Sequence, residues 1–295
     1  MKQSRLRITG WLLFLLAVLL FSGQIGFLLI QSNYPQVEYI DNRLFYLFNI
    51  SFAIFLALAL LFLLRLSKIW RLLVITSFGI FAIVNSWLFI STNQQIKNII
   101  SISPDFKQVL SIKKQVDTKE ATYYRSKLGI LAMSHQKLPE DVSSTPKIDW
   151  LANDIAAVTY KSSDDKLQQF IATYGDRGIG GSYYEVGAVT RGRWGGESVE
   201  MRNNTEGITI ITKATSETFS WDQVIQYGTL ALVLMKDNQA VWTIALDEDF
   251  DAEAINDGKQ QTGNITLYKA TMDDNEPINL EFQGREGSLF KPAEK

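Results

Sequence analysis

The sequence predicts a three-helix transmembrane bundle followed by a mainly antiparallel β domain on the extracytoplasmic side: a sandwich, a barrel or a propeller-like meander. Three observations predict it. Residues 1–92 are dominated by Leu, Ile, Phe and Ala, gathered into three runs of the roughly 20 apolar residues that an α-helix needs to cross a hydrocarbon layer. Charge is segregated along the chain. Seven of the 29 basic and two of the 31 acidic residues precede residue 93, which leaves 22 and 29 beyond it and a net charge of −7 there. Beyond residue 104, short β-prone stretches alternate with polar turns, and helical periodicity is scarce. The division read from this is a membrane region at 1–92, a linker at 93–104 and a β-rich domain at 105–295.

The first span covers 8–30. The residues Lys2, Arg5 and Arg7 before it form a basic leader, but the apolar run continues past Ser22 and Gly23 to Ile30 with no small-residue cleavage site, so it reads as a retained signal anchor. The second and third spans cover 44–64 and 72–91, and no ionisable residue falls inside any of the three. Arg65, Lys68 and Arg71 crowd the loop between spans two and three, whereas the loop between spans one and two sets Arg43 against Glu38 and Asp41. The positive-inside rule therefore expects the N-terminus in the cytoplasm and, after three crossings, the C-terminal domain outside the cell membrane. Trp11, Trp70, Tyr34, Tyr39 and Tyr46 fall near the expected interfaces. Gln24, Asn49 and Asn85 each lie five or six residues from the outer end of their span, about 8 Å deep at 1.5 Å per residue. Three amides at one depth suit helix packing through hydrogen bonds, and favour it over a polar pocket.

The strands follow in order. Residues 106–113 and 121–125 read as a hairpin joined through 116–120, with Leu110 and Ile112 on one face and Ser111 and Lys113 on the other. Further strand pairs are read at 154–161 with 166–174, 197–202 with 207–212, and 229–235 with 240–246, the last apolar on both faces. Two late strands are read at 264–270 and 277–282. Successive strands with short polar turns imply an antiparallel meander.

Each candidate site has a structural alternative. The loop Gly175-Asp176-Arg177-Gly178-Ile179-Gly180-Gly181-Ser182 could cradle a phosphate with help from Arg177, but a phosphate loop needs a strand before it and a helix after it, and a strand-like Tyr183-Tyr184-Glu185-Val186 follows. A flexible connection is favoured. Arg193 and Trp194 could stack on a planar ligand, and a hairpin turn with a core tryptophan is favoured instead. Asp247, Asp249 and Asp251 alternate as calcium ligands do, but Ala252 and Gly258 stand where a calcium loop requires Gly and Glu. His135, the single histidine, reads as part of a surface loop. With no cysteine, thiol catalysis and zinc–thiolate sites are excluded.

No cofactor is implied, and an acidic domain without a basic stripe argues against nucleic acid. The expected partners are the lipid bilayer and another membrane protein or envelope component. The function expected from topology is that of a non-enzymatic, membrane-anchored binding or accessory protein, engaging a partner protein, peptide or envelope component at the outer face of a bacterial envelope. The alternative is an outer-surface hydrolase working through carboxylates.

Overall fold

The computed structural model describes residues 2–177, 184–252 and 262–285. Three long apolar helices open the chain and antiparallel sheets follow, as the composition predicts. The chain divides into two compact units: Met1–Ile100 with Val109–Lys137, and Ser101–Gln108 with Leu138–Lys295.

In the first unit, helices α1 (Lys2–Asn33), α2 (Arg43–Leu63) and α3 (Lys68–Gln95) are each long and apolar enough to span a bilayer. Helix α2 is the middle member, packed against α1 and against α3. The buried residues of α1 include Gly10, Ala17 and Gln24, spaced by sevens. That repeat returns the same helix face to its neighbour. A Cβ at Gly10 would lie 2.9 Å from the Leu63 side chain, so the approach there requires glycine. Small residues serve this purpose in lipid, where apolar side chains gain nothing by leaving the solvent and close packing must hold the helices. The buried residue of α3 is Asn85. With 28 residues, α3 is about 42 Å long and exceeds the hydrocarbon layer. Its polar end, Thr92-Asn93-Gln94-Gln95, therefore stays helical beyond the apolar run.

The same unit carries a five-stranded antiparallel sheet built from β1 (Val37–Tyr39), β2 (Ile96–Ile102), β3 (Val109–Gln115), β4 (Ala121–Leu128) and β5 (Leu131–Lys137), in the order β1-β5-β4-β3-β2. The sheet curves into a half-barrel. Although β1 is at one edge, the residues that follow it cross to the other strands. Ser111 Oγ on β3 donates to the Ile40 carbonyl at 2.8 Å, and the Asn42 amide donates to Asn98 Oδ1 on β2 at 3.4 Å. The loop between α1 and α2 is thus wrapped by the sheet. Three local expectations change here. Residues 93–104, read as a linker, contain the end of α3 and β2. His135 lies exposed on a strand, edge-on to Tyr123 with ring centroids 5.7 Å apart. Ser111 and Lys113, on the polar side of the alternation, are buried because the 40–42 loop covers that face.

The second unit holds two sheets. Strands β6 (Lys147–Ala152), β7 (Ile155–Lys161) and β8 (Leu167–Thr173) form a three-stranded meander. Nine strands form the larger sheet: β9 (Gly192–Gly195), β10 (Val199–Asn203), β11 (Gly207–Thr212), β12 (Ser216–Ser220), β13 (Val224–Tyr227), β14 (Ala231–Lys236), β15 (Gln239–Leu246), β16 (Ile265–Lys269) and β17 (Ile278–Gly284). Their order, β12-β11-β10-β9-β17-β16-β15-β14-β13, joins two meanders through β17 and β9 and gives a nearly closed, barrel-like wall. Its interior is filled by Trp194, Met201, Ile208, Phe219, Leu232, Ile244, Leu267 and their neighbours. The pair β14–β15 is buried on both faces: one looks into the barrel and the other meets β8. There Gln169 bridges Thr159, which accepts from its Nε2 at 2.8 Å, and Thr243, whose hydroxyl donates to its Oε1. Asp237 and Asn238, with φ of 52° and 58°, turn this hairpin in the two-residue form that suits the twist of paired strands.

Candidate functional site

In the first unit a cleft of about 310 Å³ opens at the end of the helices that carries the half-barrel. Phe27, Leu28 and Gln31 come from the last turns of α1, Asn42, Phe45 and Tyr46 from the start of α2, and Thr92 and Ile96 from the end of α3. Glu38 and Tyr39 of β1 complete it. Its position follows from the helix arrangement: α1 and α3 flank α2 and run past the apolar layer, so their polar last turns form walls above the start of α2. Phe27 and Tyr39 are in contact at 4.1 Å between ring centroids, and Tyr39 packs edge-on to Phe48. Tyr46 and Thr92 share a hydroxyl hydrogen bond of 2.9 Å between α2 and α3.

A buried cation organises the polar side of this cleft. The Lys113 side chain is 4% exposed, and its ammonium donates to Glu38 Oε2 at 2.6 Å, the Tyr39 carbonyl at 2.7 Å and Asn42 Oδ1 at 2.5 Å. Those three bonds use all of its protons. The ammonium also lies 4.4 Å from the centre of the Tyr124 ring, whose hydroxyl donates to Glu38 Oε1 at 3.4 Å. Burial holds the Lys113 ammonium below the usual lysine range despite the Glu38 carboxylate, and burial with the same carboxylate pushes the Tyr124 phenol up to about 12. Asp41 and Arg43 form a separate ion pair beside it at 2.6 Å. The cluster pins the α1–α2 loop to the sheet. Its signal in the sequence was the group Glu38, Asp41 and Arg43, three charges in a short loop between apolar spans. Lys113 carried no such signal, because alternation alone assigns it to solvent.

The amides within the helices form two clasps. Gln24 Nε2 donates to the Phe45 carbonyl at 3.2 Å, and Gln24 Oε1 accepts from the Tyr39 hydroxyl at 3.4 Å, joining α1 to α2. Asn49 Nδ2 donates to Asn85 Oδ1 at 3.3 Å, joining α2 to α3, and Asn85 Nδ2 donates to the Phe81 carbonyl at 3.0 Å.

Among the candidates in the second unit, Arg177 meets the backbone of Asp247, whereas Arg193 and Trp194 face opposite sides of one strand. Arg177 is buried, with its side chain 6% exposed, and bonds both oxygens of Asp154 at 2.5 and 2.9 Å. It also donates to the carbonyls of Asp247 and Leu246 at 2.6 and 3.0 Å. These contacts tie the end of β15 to the β6–β7 turn, and a longer bond of 3.4 Å reaches the neighbouring Asp176 carbonyl. Residues 178–182 of the glycine-rich loop, and Tyr183 after it, lie outside the described residues. Trp194 is fully buried in the barrel, donating Nε1–H to the Thr190 carbonyl at 2.8 Å and packing against Phe282 and Phe250. Arg193, its neighbour on β9, points to the opposite face and pairs with Glu200 at 3.3 Å. The two do not share a surface, because successive strand residues face opposite sides. Both lie on a strand where the sequence favoured a turn.

Asp247 accepts from the Thr266 hydroxyl at 2.5 Å and Asp249 from the Asn264 amide at 3.0 Å. Burial raises the Asp247 carboxyl above the usual range, an effect the Thr266 bond opposes. Among the described residues no three His, Asp or Glu side chains converge as a metal site would require. A shallow depression of about 410 Å³ does gather Asp105, Asp154 and Glu248 with Lys107, Asn153 and Tyr174. Each of its carboxylates is engaged: Asp105 with Ser103 and Lys107, Asp154 with Arg177, and Glu248 with the Asn153 amide. No family model matches the chain, and no curated protein or solved structure does.

Proposed function

We propose that this is a membrane-anchored binding protein without catalytic activity, which presents its β units at the outer face of a cell membrane and takes its ligand in the cleft at the sheet end of the helices. The cleft carries the reading. It combines aromatic walls with a few converging polar groups, the chemistry by which ligand sites select and orient a molecule. The surrounding half-barrel and the Lys113 cluster hold it in shape, so binding needs little reordering. The orientation rests on the basic residues Lys2, Arg5, Arg7, Arg65, Lys68 and Arg71, which the positive-inside rule puts in the cytoplasm. The retained first span acts as signal anchor, and an envelope component of the outer leaflet is the class of partner in reach of the cleft. Hydrolysis is disfavoured by the depression in the second unit, whose carboxylates all have partners.

Photo-crosslinking in living cells tests the reading. A photoreactive amino acid at position 31, in the cleft, gives a discrete adduct, whereas the same group at position 83, which is 70% exposed on α3, gives only diffuse lipid labelling. The same diffuse pattern from both positions would contradict a binding role for the cleft.

A further inference from the structure

We infer that the cleft receives the headgroup of an outer-leaflet lipid, one that carries no net charge and donates hydrogen bonds, through either a primary ammonium or sugar hydroxyls. This rests on the binding role and orientation proposed above, and adds the class of ligand.

Depth comes first. The walls are the last turns of α1 and α3, and Leu28 on α1 is both a wall residue and 45% exposed on the face of an apolar helix. The cleft therefore opens sideways into the bilayer where headgroups lie, and an acyl chain can run down beside Leu28 while its headgroup turns inward. A water-soluble ligand would have no use for that apolar lip.

Charge comes second. The one ionised group lining the cleft is the Glu38 carboxylate, and its side chain is 33% exposed. The nearby cation, Lys113, has given all three protons to Glu38, Tyr39 and Asn42, and Arg43 is held by Asp41. An anionic headgroup would meet a carboxylate with no spare cation. Each Glu38 oxygen still has a lone pair to accept a ligand's N–H or O–H, and Asn42, with its Oδ1 occupied, keeps its NH2 group. The Gln31 amide makes no protein hydrogen bond among the described residues, so it is free to accept and donate. Tyr39, Tyr46, Phe27 and Phe45 supply ring faces, on which both an ammonium and the C–H face of a sugar pack well. Acceptors and rings with no free cation select a donating headgroup and disfavour one whose net charge is negative.

The test uses the full chain in mild detergent, with native mass spectrometry to count retained lipid. Phosphatidylethanolamine, a monoglycosyl diacylglycerol, phosphatidylcholine and phosphatidylglycerol of matched acyl chains are added singly. One molecule of phosphatidylethanolamine or of the glycolipid stays bound. The difference between those two tells ammonium from sugar. Phosphatidylcholine, which has the cation but no N–H, and anionic phosphatidylglycerol are lost. Gln31→Leu weakens retention about five- to tenfold, as loss of one hydrogen bond does. Leu28→Trp, an apolar change at the lipid-facing lip, abolishes it while the far-UV spectrum and melting temperature hold. Equal retention of all four lipids, preference for phosphatidylglycerol, or indifference to both substitutions would overturn the inference. A discrete crosslink from position 31 together with no lipid preference would remove the lipid class and leave the binding role standing.

Discussion

Arg177 shows how a residue suggestive of ligand binding is used for structure. Its guanidinium serves both oxygens of a carboxylate and the carbonyls of Asp247 and Leu246 at once, a task that arginine's fork of donors suits better than lysine. Removing one partner of such a buried pair typically costs about 3–5 kcal/mol, because the other charge is left uncompensated. Arg177→Met is therefore expected to reduce the unfolding free energy of the second unit by that amount, read as a lower midpoint in denaturant titrations. Arg177→Lys should recover only part of the loss, and a midpoint within error of the parent would contradict the assigned role. Tyr227 offers a pH test. Burial pushes its phenol from 10.0 up to about 12. In the unfolded chain the proton leaves first, so this contribution is fully present below pH 10 and is lost as the pH rises through 12. Two units correspond to about 3 kcal/mol at most. Between pH 10 and 12 the parent should lose stability more steeply than Tyr227→Phe, and equal slopes would show that the buried phenol has no such effect.

Among the elements, helices and hairpins differ in how far local sequence determines them. The β14–β15 hairpin was legible because Asp237-Asn238 tolerates positive φ and both flanking strands are apolar throughout. The helices were legible from length and hydropathy. Seven strands, β1, β2, β5, β6, β9, β12 and β13, fall outside the stretches read as strands, and three of them show why. β1 has three residues and sits in a loop between spans, too short for any alternation to show. β9 is glycine-flanked and reads as a turn until Trp194 is seen filling the barrel. β5 carries exposed polar residues at four successive positions, 134–137, since its end has one open face. The cleft was half legible: the loop charges stood out, but Lys113 needed the fold, because only the 40–42 loop converts a solvent-facing position into a buried one. The amide clasps make a prediction at this scale. Replacing Gln24, Asn49 and Asn85 together by Leu removes the amide hydrogen bonds that clasp α1 to α2 and α2 to α3 while keeping the spans apolar. Each such bond in a membrane is worth about 0.6–2 kcal/mol. Insertion should be unaffected and the thermal midpoint in detergent lowered. An unchanged midpoint would mean that Gly10, Ala17 and the other packed residues hold the helices without the clasps.

For the whole molecule, the segregation of charge and apolar length sets what the protein can reach. In the proposed orientation the basic residues around 2–7 and 65–71 face the cytoplasm, and the proposed binding role belongs to the β units and to the plane of the membrane. The acidic character of the chain beyond residue 93 and the engaged carboxylates of Asp105, Asp154 and Glu248 both fit a domain that displays surface, with ligand capture assigned to the cleft beside the bilayer. All of this depends on which side of the membrane carries the sheets. The chain has no cysteine, so a single introduced thiol reports its own location without background. Ser216→Cys places one on β12, and Ser67→Cys places another between α2 and α3, both at exposed positions. In intact spheroplasts treated with a membrane-impermeant maleimide, the thiol at position 216 should label at once and the thiol at 67 only after permeabilisation. Labelling at 67 with protection at 216 would put the β units inside the cell and contradict the account.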